Sequence, residues 1–149
     1  MKKLFITALV ALAIGTTAFA GPKSISAKVT KHFSSTFTKA QNVTWKADEQ
    51  FDKVSFVLNN EKVDAFYDVQ SDLIGTSKTI AFDKLPKSAI QTITTKYTFP
   101  DYQVKECIDF QNVNNNEANY YVSFTTKNEY IALEITRSGS VSVFSKTRK

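Results

Sequence analysis

The sequence predicts an α+β fold: two tandem helix-plus-antiparallel-meander repeats forming one continuous antiparallel sheet, with both helices on one face. The first observation behind this is a repeat. Residues 55–79 (SFVLNNEKVDAFYDVQSDLIGTSKT) lie over residues 123–147 (SFTTKNEYIALEITRSGSVSVFSKT), 68 positions apart and without a gap. Ser55/Ser123, Phe56/Phe124, Asn60/Asn128, Glu61/Glu129 and Ser77-Lys78-Thr79/Ser145-Lys146-Thr147 are identical. Seven identities in 25 positions exceed the roughly one or two expected by chance. The second observation is a helix-period apolar stripe before each copy. The third is that apolar residues inside each copy alternate with period two.

Residues 1–20 read as an export leader and not as part of the fold. Lys2 and Lys3 form a basic start, Leu4 to Ile14 a short apolar run, and Ala18-Phe19-Ala20 a small-x-small cleavage site. The apolar run is too short for a stable membrane span, and no later segment approaches the ~18 apolar residues a span needs. No cysteine follows the cleavage site to take a lipid anchor. A periplasmic or secreted bacterial protein is therefore expected. Residues 21–149 then form a single domain, with repeat one at about 24–82 and repeat two at about 83–149. Losing two lysines lowers the formal net charge from +5 to +3. Acids and bases are interspersed, with no cationic run on a predicted face, so nucleic acid is not an expected partner.

Helix one is expected from Ser24 or Ser26 to Lys39, because Ile25, Val29, Phe33 and Phe37 recur every four residues. Helix two is expected to begin near Asp83-Lys84-Leu85-Pro86, with Pro86 in its first turn. Ala89, Ile90, Ile93 and Tyr97 make its apolar face, and Pro100 is its expected stop. The first hairpin alternates through Val54, Phe56 and Leu58, turns at Asn59-Asn60-Glu61, and returns through Val63, Ala65 and Tyr67. Ser71-Asp72 turns into a strand from Leu73 to Lys78. The second copy runs through Val122 and Phe124, Lys127-Asn128, then Ile131, Leu133 and Ile135; Arg137-Ser138-Gly139 leads into Val141, Val143 and Ser145. A strand precedes each hairpin, near 42–46 and 104–110, and Trp45 shares the phase of Val43 as an expected core residue. The helix stripes align at an offset of 60 and the later strands at 68. The Asn-rich segment Gln111–Asn119 is the expected site of the extra residues, as an exposed mobile loop.

No catalytic, cofactor-binding or metal-binding constellation is legible. Cys107 is the only cysteine and His32 the only histidine, in different predicted elements. No metal-ligand spacing, phosphate-binding glycine loop or nucleophile elbow is present. Asp48, Glu49, Asp52, Glu61, Asp64 and Asp68 are scattered over turns and an outward strand, as a solvated face would have them. The aromatics are more informative: twelve Phe, six Tyr and one Trp make up 13% of the chain. Phe66, Tyr121, Tyr130 and Phe144 are out of phase with the inward residues beside them. On an open sheet face they would be partner-contact residues; the structural alternative is cross-strand pairing that stiffens the sheet.

Val43-Thr44-Trp45 after the first helix, Ala65-Phe66-Tyr67-Asp68 ending a strand, and Leu85-Pro86 opening the second helix give the chain a recognisable layout. With the leader and the two helix-plus-meander copies, it resembles the PepSY-like, beta-lactamase-inhibitor-like family of small secreted Bacteroidetes-type proteins. The resemblance spans about Ser24 to Arg148. It implies a non-enzymatic module that binds or restrains a cell-envelope protein such as a peptidase through an open sheet face. Relatives carry an Asp-Gly turn where Val69-Gln70-Ser71-Asp72 stands here, and the resemblance brings no functional residue. A periplasmic small-molecule carrier or sensor, with a pocket between sheet and helices, is the alternative reading.

Overall fold

A computed structural model describes residues 24–47 and 50–149. The expected leader, with Asp48 and Glu49, lies outside the described residues. The elements are α1 (Ala27–Thr36), β1 (Gln41–Ala47), β2 (Phe51–Leu58), β3 (Glu61–Asp68), β4 (Leu73–Thr79), α2 (Lys87–Lys96), β5 (Gln103–Asn112), β6 (Ala118–Thr125), β7 (Glu129–Thr136) and β8 (Val141–Arg148). The strands follow chain order in one eight-stranded antiparallel sheet. The described residues divide into two compact units. The first holds residues 24–78 and 111–117, the second residues 79–110 and 118–149.

In the first unit, Ser26 caps α1 by accepting the Val29 N–H at 3.2 Å, which satisfies one of the free donors of a helix start. Val29 and Phe33 are buried against Val54, Phe56, Val63, Ala65 and Tyr67. The helix ends three residues earlier than its stripe predicts. Phe37 has left the helical region (φ −112°, ψ 56°), although its N–H still closes on the Phe33 carbonyl. That departure lets its ring lie 4.9 Å from Phe56, itself 5.0 Å from Phe33. The first hairpin turns on Asn59 and Asn60, both with positive φ (52° and 66°), the paired left-handed conformation whose twist suits a two-residue hairpin. Trp45 and Val43 depart from the expected core placement: they are 36% and 37% exposed. β1 is the edge strand, its pairing is irregular between Gln41 and Thr44, and Trp45 meets Phe33 edge-on at 5.1 Å.

In the second unit a 3-10 turn, Phe82–Lys84, precedes α2. Leu85 is extended (φ −69°, ψ 158°) because Pro86 disfavours helical backbone in the residue before it. Pro86 is therefore the N-cap, and α2 starts one residue later. The helix ends at Lys96, before Pro100 can act as its stop, and Tyr97 takes the terminal geometry that Phe37 takes in α1. Leu85, Ala89, Ile93 and Cys107 share a buried cluster with Val122, Phe124, Ile131, Leu133 and Ile135. Tyr97 stacks on Phe124 at 5.4 Å. On the last strand Val143 is 58% exposed, unlike its expected inward partners. There Leu133 pairs with Val143 and Ala132 with Ser145; Phe144 is the extra residue of a bulge, which resets the alternation.

The segment 111–119 is more regular than a mobile loop. Gln111 and Asn112 belong to β5, and Ala118 and Asn119 to β6. Asn112 N–H donates to the Glu117 carbonyl at 2.8 Å, and the Asn112 and Asn115 side-chain carbonyls accept the N–H groups of Asn114 and Glu117. The extra residues are spread along the connection: β5 starts 62 positions after β1 but ends 65 after it, and is ten residues long against seven.

Each unit repeats contacts made inside the other, at the offsets read from the sequence. Phe56 pairs with Val63 as Phe124 pairs with Ile131. Lys78 bridges Glu61 as Lys146 bridges Glu129. Asp68 Oδ1 accepts the Asp72 N–H, and Thr136 Oγ1 accepts the Ser140 N–H, across turns with left-handed Ser71 (φ 68°) and Gly139 (φ 92°). Each turn also touches its own helix start. The Ser71 and Ser26 hydroxyls are 2.8 Å apart, and a Cβ on Gly139 would fall 2.0 Å from Ser88 Oγ and 3.1 Å from Pro86 Cβ. Gly139→Ala should therefore cost about 1–3 kcal/mol in urea unfolding, and adding Ser88→Ala should restore part of it. An unchanged midpoint for Gly139→Ala alone would show that the turn does not approach α2 this closely.

Candidate functional site

The residues with chemical potential are dispersed into structural roles. His32 Nδ1 lies 3.1 Å from the Tyr67 hydroxyl and Nε2 3.4 Å from Thr36 Oγ1. The Tyr67 ring is fully buried, and burial pushes its phenol up to about 12. A phenol buried this deeply needs a partner for its hydroxyl, and His32 supplies it from the rim of α1. Cys107 is buried in the second unit; burial, then the Glu106 charge, pushes its thiol up to about 11. Buried among Leu85, Ala89 and Ile93, the protonated thiol packs as a core residue. No group of three or more potential metal ligands occurs among the described residues. Of the scattered acids, Asp52 is buried at 4% exposure, contrary to the solvated reading, and Asp64 bridges Lys53 at 2.9 Å.

The four expected partner-contact residues do not form one exposed patch. Phe66 and Tyr121 are 3% exposed, whereas Tyr130 and Phe144 are half-buried. Phe66 meets Phe51 edge-on at 6.0 Å. Tyr121 lies between Phe110 and Phe144, at 6.2 and 5.3 Å, and its hydroxyl donates to Glu134 at 2.8 Å. Cross-strand ring packing of this kind accounts for part of their burial. In the second unit Tyr121, Tyr130 and Phe144 surround small residues, Ser123 and Ala132, on the sheet face away from the α2 cluster. Ser123 Oγ is buried there with no hydrogen-bond partner among the described residues.

A concave surface that the periodicity did not reveal lies past the end of α2. A groove of about 670 Å³ is lined by Phe82, Ile93, Tyr97, Phe99, Val104 and Phe124. Phe99 is 81% exposed and Val104 48%. Tyr102 and Gln103 also line it, and join it to a cleft of about 1110 Å³ that includes Asp101, Lys127, Arg148 and Lys149. The signal available in sequence was an apolar residue, Phe99, in a connection where no helical or strand period claims it.

No family model matches the sequence, and no curated protein does. Solved structures match the fold. A DUF2874 family protein from Bacteroides uniformis has a TM-score of 0.65 at 14% identity, over 84% of this chain and 90% of that one. A BLIP-like protein from Bacteroides fragilis has a TM-score of 0.63 at 10% identity, over 86% and 89%. A Bacteroides eggerthii protein provisionally described as periplasmic has a TM-score of 0.66 at 12% identity, over 85% and 90%. Identities this low show the fold alone. No helix among the described residues is long and apolar enough to cross a membrane.

The Tyr67 environment makes a pH prediction. Its proton is held more tightly folded than unfolded, where the phenol titrates near 10. Its contribution is thus fully present below pH 10 and lost as pH rises through about 12. Thermal melts between those values should show a steep fall that Tyr67→Phe flattens, at a cost of about 1 kcal/mol near neutrality from the lost hydroxyl bond. Identical alkaline limbs would place the titration elsewhere.

Proposed function

We propose that the chain is an exported, non-catalytic binding module that restrains or regulates a cell-envelope protein such as a peptidase. It is built from two copies of one helix-and-meander unit, with both helices on one face of the sheet. The observation that carries this reading is the sheet face of the second unit, where half-buried Tyr130 and Phe144 flank the small side chains Ser123 and Ala132. Ser123 and Ala132 are themselves buried, so a partner would rest on the half-exposed Tyr130 and Phe144 rings that flank them. Phe66 and Tyr121 act as supports in this scheme, Tyr121 holding Phe144 by its edge. The BLIP-like and periplasmic descriptions of solved neighbours support the reading, as do the leader expected at residues 1–20 and the resemblance to PepSY-like proteins. The contacts recurring at fixed offsets support the duplication.

The carrier reading has one feature in its favour, the hollow of about 670 Å³ between the end of α2 and the sheet; elsewhere the helices leave no space. The spaces under α1 and α2 are filled by Val29, Phe33 and Phe56, and by Ala89, Ile93 and Phe124, each at most 5% exposed. Tyr130→Ser with Phe144→Ser should weaken binding to a partner isolated by cross-linking from envelope extract by about tenfold or more in calorimetry, with little change in melting temperature. Full affinity in that variant would sink the sheet-face reading. Phe66→Ser or Tyr121→Ser should instead lower stability by about 3 kcal/mol or more.

A further inference from the structure

The groove past the C-terminal end of α2 carries an inference of its own, distinct from the sheet-face reading. Its floor is core, with Ile93 and Phe124 each 1% exposed, whereas its rim presents Phe99 at 81% and Val104 at 48%. A single exposed apolar residue is ordinary, but contiguous apolar exposure beside a formed hollow marks an interaction site. Its volume of about 670 Å³ lies within the range of sites that enclose a small ligand or a few side chains. The adjoining cleft is biased towards positive charge. Lys127 and Arg148 are exposed and make no ion pair among the described residues. The Lys149 ammonium is already held, on the Thr126 carbonyl at 2.6 Å and 5.2 Å from the centre of the Tyr130 ring. Against these stands Asp101, since Glu129 is already paired with Lys146.

We infer that this trough binds an extended peptide segment that carries a large apolar side chain beside carboxylates. The apolar side chain enters the groove between Phe99 and Val104. The carboxylates extend over Tyr102 and Gln103 towards Lys127 and Arg148. Apolar burial supplies affinity and the charges supply orientation, so added salt weakens binding without abolishing it.

The test is an amide-resolved NMR titration of the purified protein with three capped pentapeptides: Glu-Glu-Phe-Glu-Glu, Glu-Glu-Ala-Glu-Glu and Lys-Lys-Phe-Lys-Lys. The first should give saturable shifts around Phe99, Val104, Lys127 and Arg148, and the other two should not. Phe99→Ser and Arg148→Glu, both surface changes, should each weaken it about tenfold with the fold intact. The inference is overturned by no saturation at millimolar peptide, by equal binding of the cationic peptide, or by shifts confined to the sheet around Tyr130 and Phe144. Concentration-dependent self-association through Phe99 without any peptide would also overturn it, making the trough a contact between copies.

Discussion

Neither helix is long enough to persist by itself. Each has ten residues, below the ~12–15 at which an isolated helix becomes even marginal in water. Each is held by the burial of one side-chain stripe against one hairpin. In the first unit Phe33 and Phe37 close on Phe56; in the second Ile93 and Tyr97 close on the Phe124 side of the sheet. The terminal aromatic does two things at once. Its N–H completes the last helical bond while its non-helical dihedrals turn the ring onto the strand. Helix end, hairpin register and core are thus one event, and a slip of one strand position would send Phe56 or Phe124 to the wrong face.

This constraint explains which features recur. The helix starts meet the turn after the third strand of their own unit, through Ser26 and Ser71 in one case and Pro86 and Gly139 in the other. Chemistry differs between these pairs while position does not. A hydroxyl pair serves where a side chain fits, and a glycine serves where the helix start leaves no room for a Cβ. Lys78–Glu61 and Lys146–Glu129 are partly exposed pairs, worth little in stability. Their recurrence records the shared strand register and contributes little to holding the fold.

Most of this fold was legible because periodicity reports burial. Val54, Phe56, Val63, Ala65 and Tyr67 were read as one face, and they are one buried cluster; both helices and both hairpin turns were also read from pattern. What periodicity misses is whether a second layer or another strand exists beyond a residue. Trp45 and Val143 keep the inward phase, yet both sit on terminal strands and stay exposed. Phe66 and Tyr121 have the outward phase and are nevertheless buried, in part because wide rings on adjacent strands shield one another. Bulges at Ile74 and Phe144 also reset phase without any residue type that announces them. The candidate site was less legible than the fold. The trough is made by a connection, where sequence carries no period to read.

The two units also differ between helix and first strand, where the shared core imposes little. Phe37 is followed closely by β1, which starts at Gln41, whereas Tyr97 is followed by a longer path to β5 at Gln103. Along that longer path lie Phe99, Pro100, Asp101 and Tyr102, the residues that line the groove and cleft. The first unit has put its own distinguishing chemistry inside, in the His32–Tyr67 contact, which satisfies a buried hydroxyl. The second has left its distinguishing side chains at the surface. Under the proposed duplication, this asymmetry follows from physics: helix-end and hairpin contacts cannot drift without loss of the core, but connections can lengthen at small entropic cost. The proposed trough lies along this lengthened connection, beside a scaffold both units hold in common.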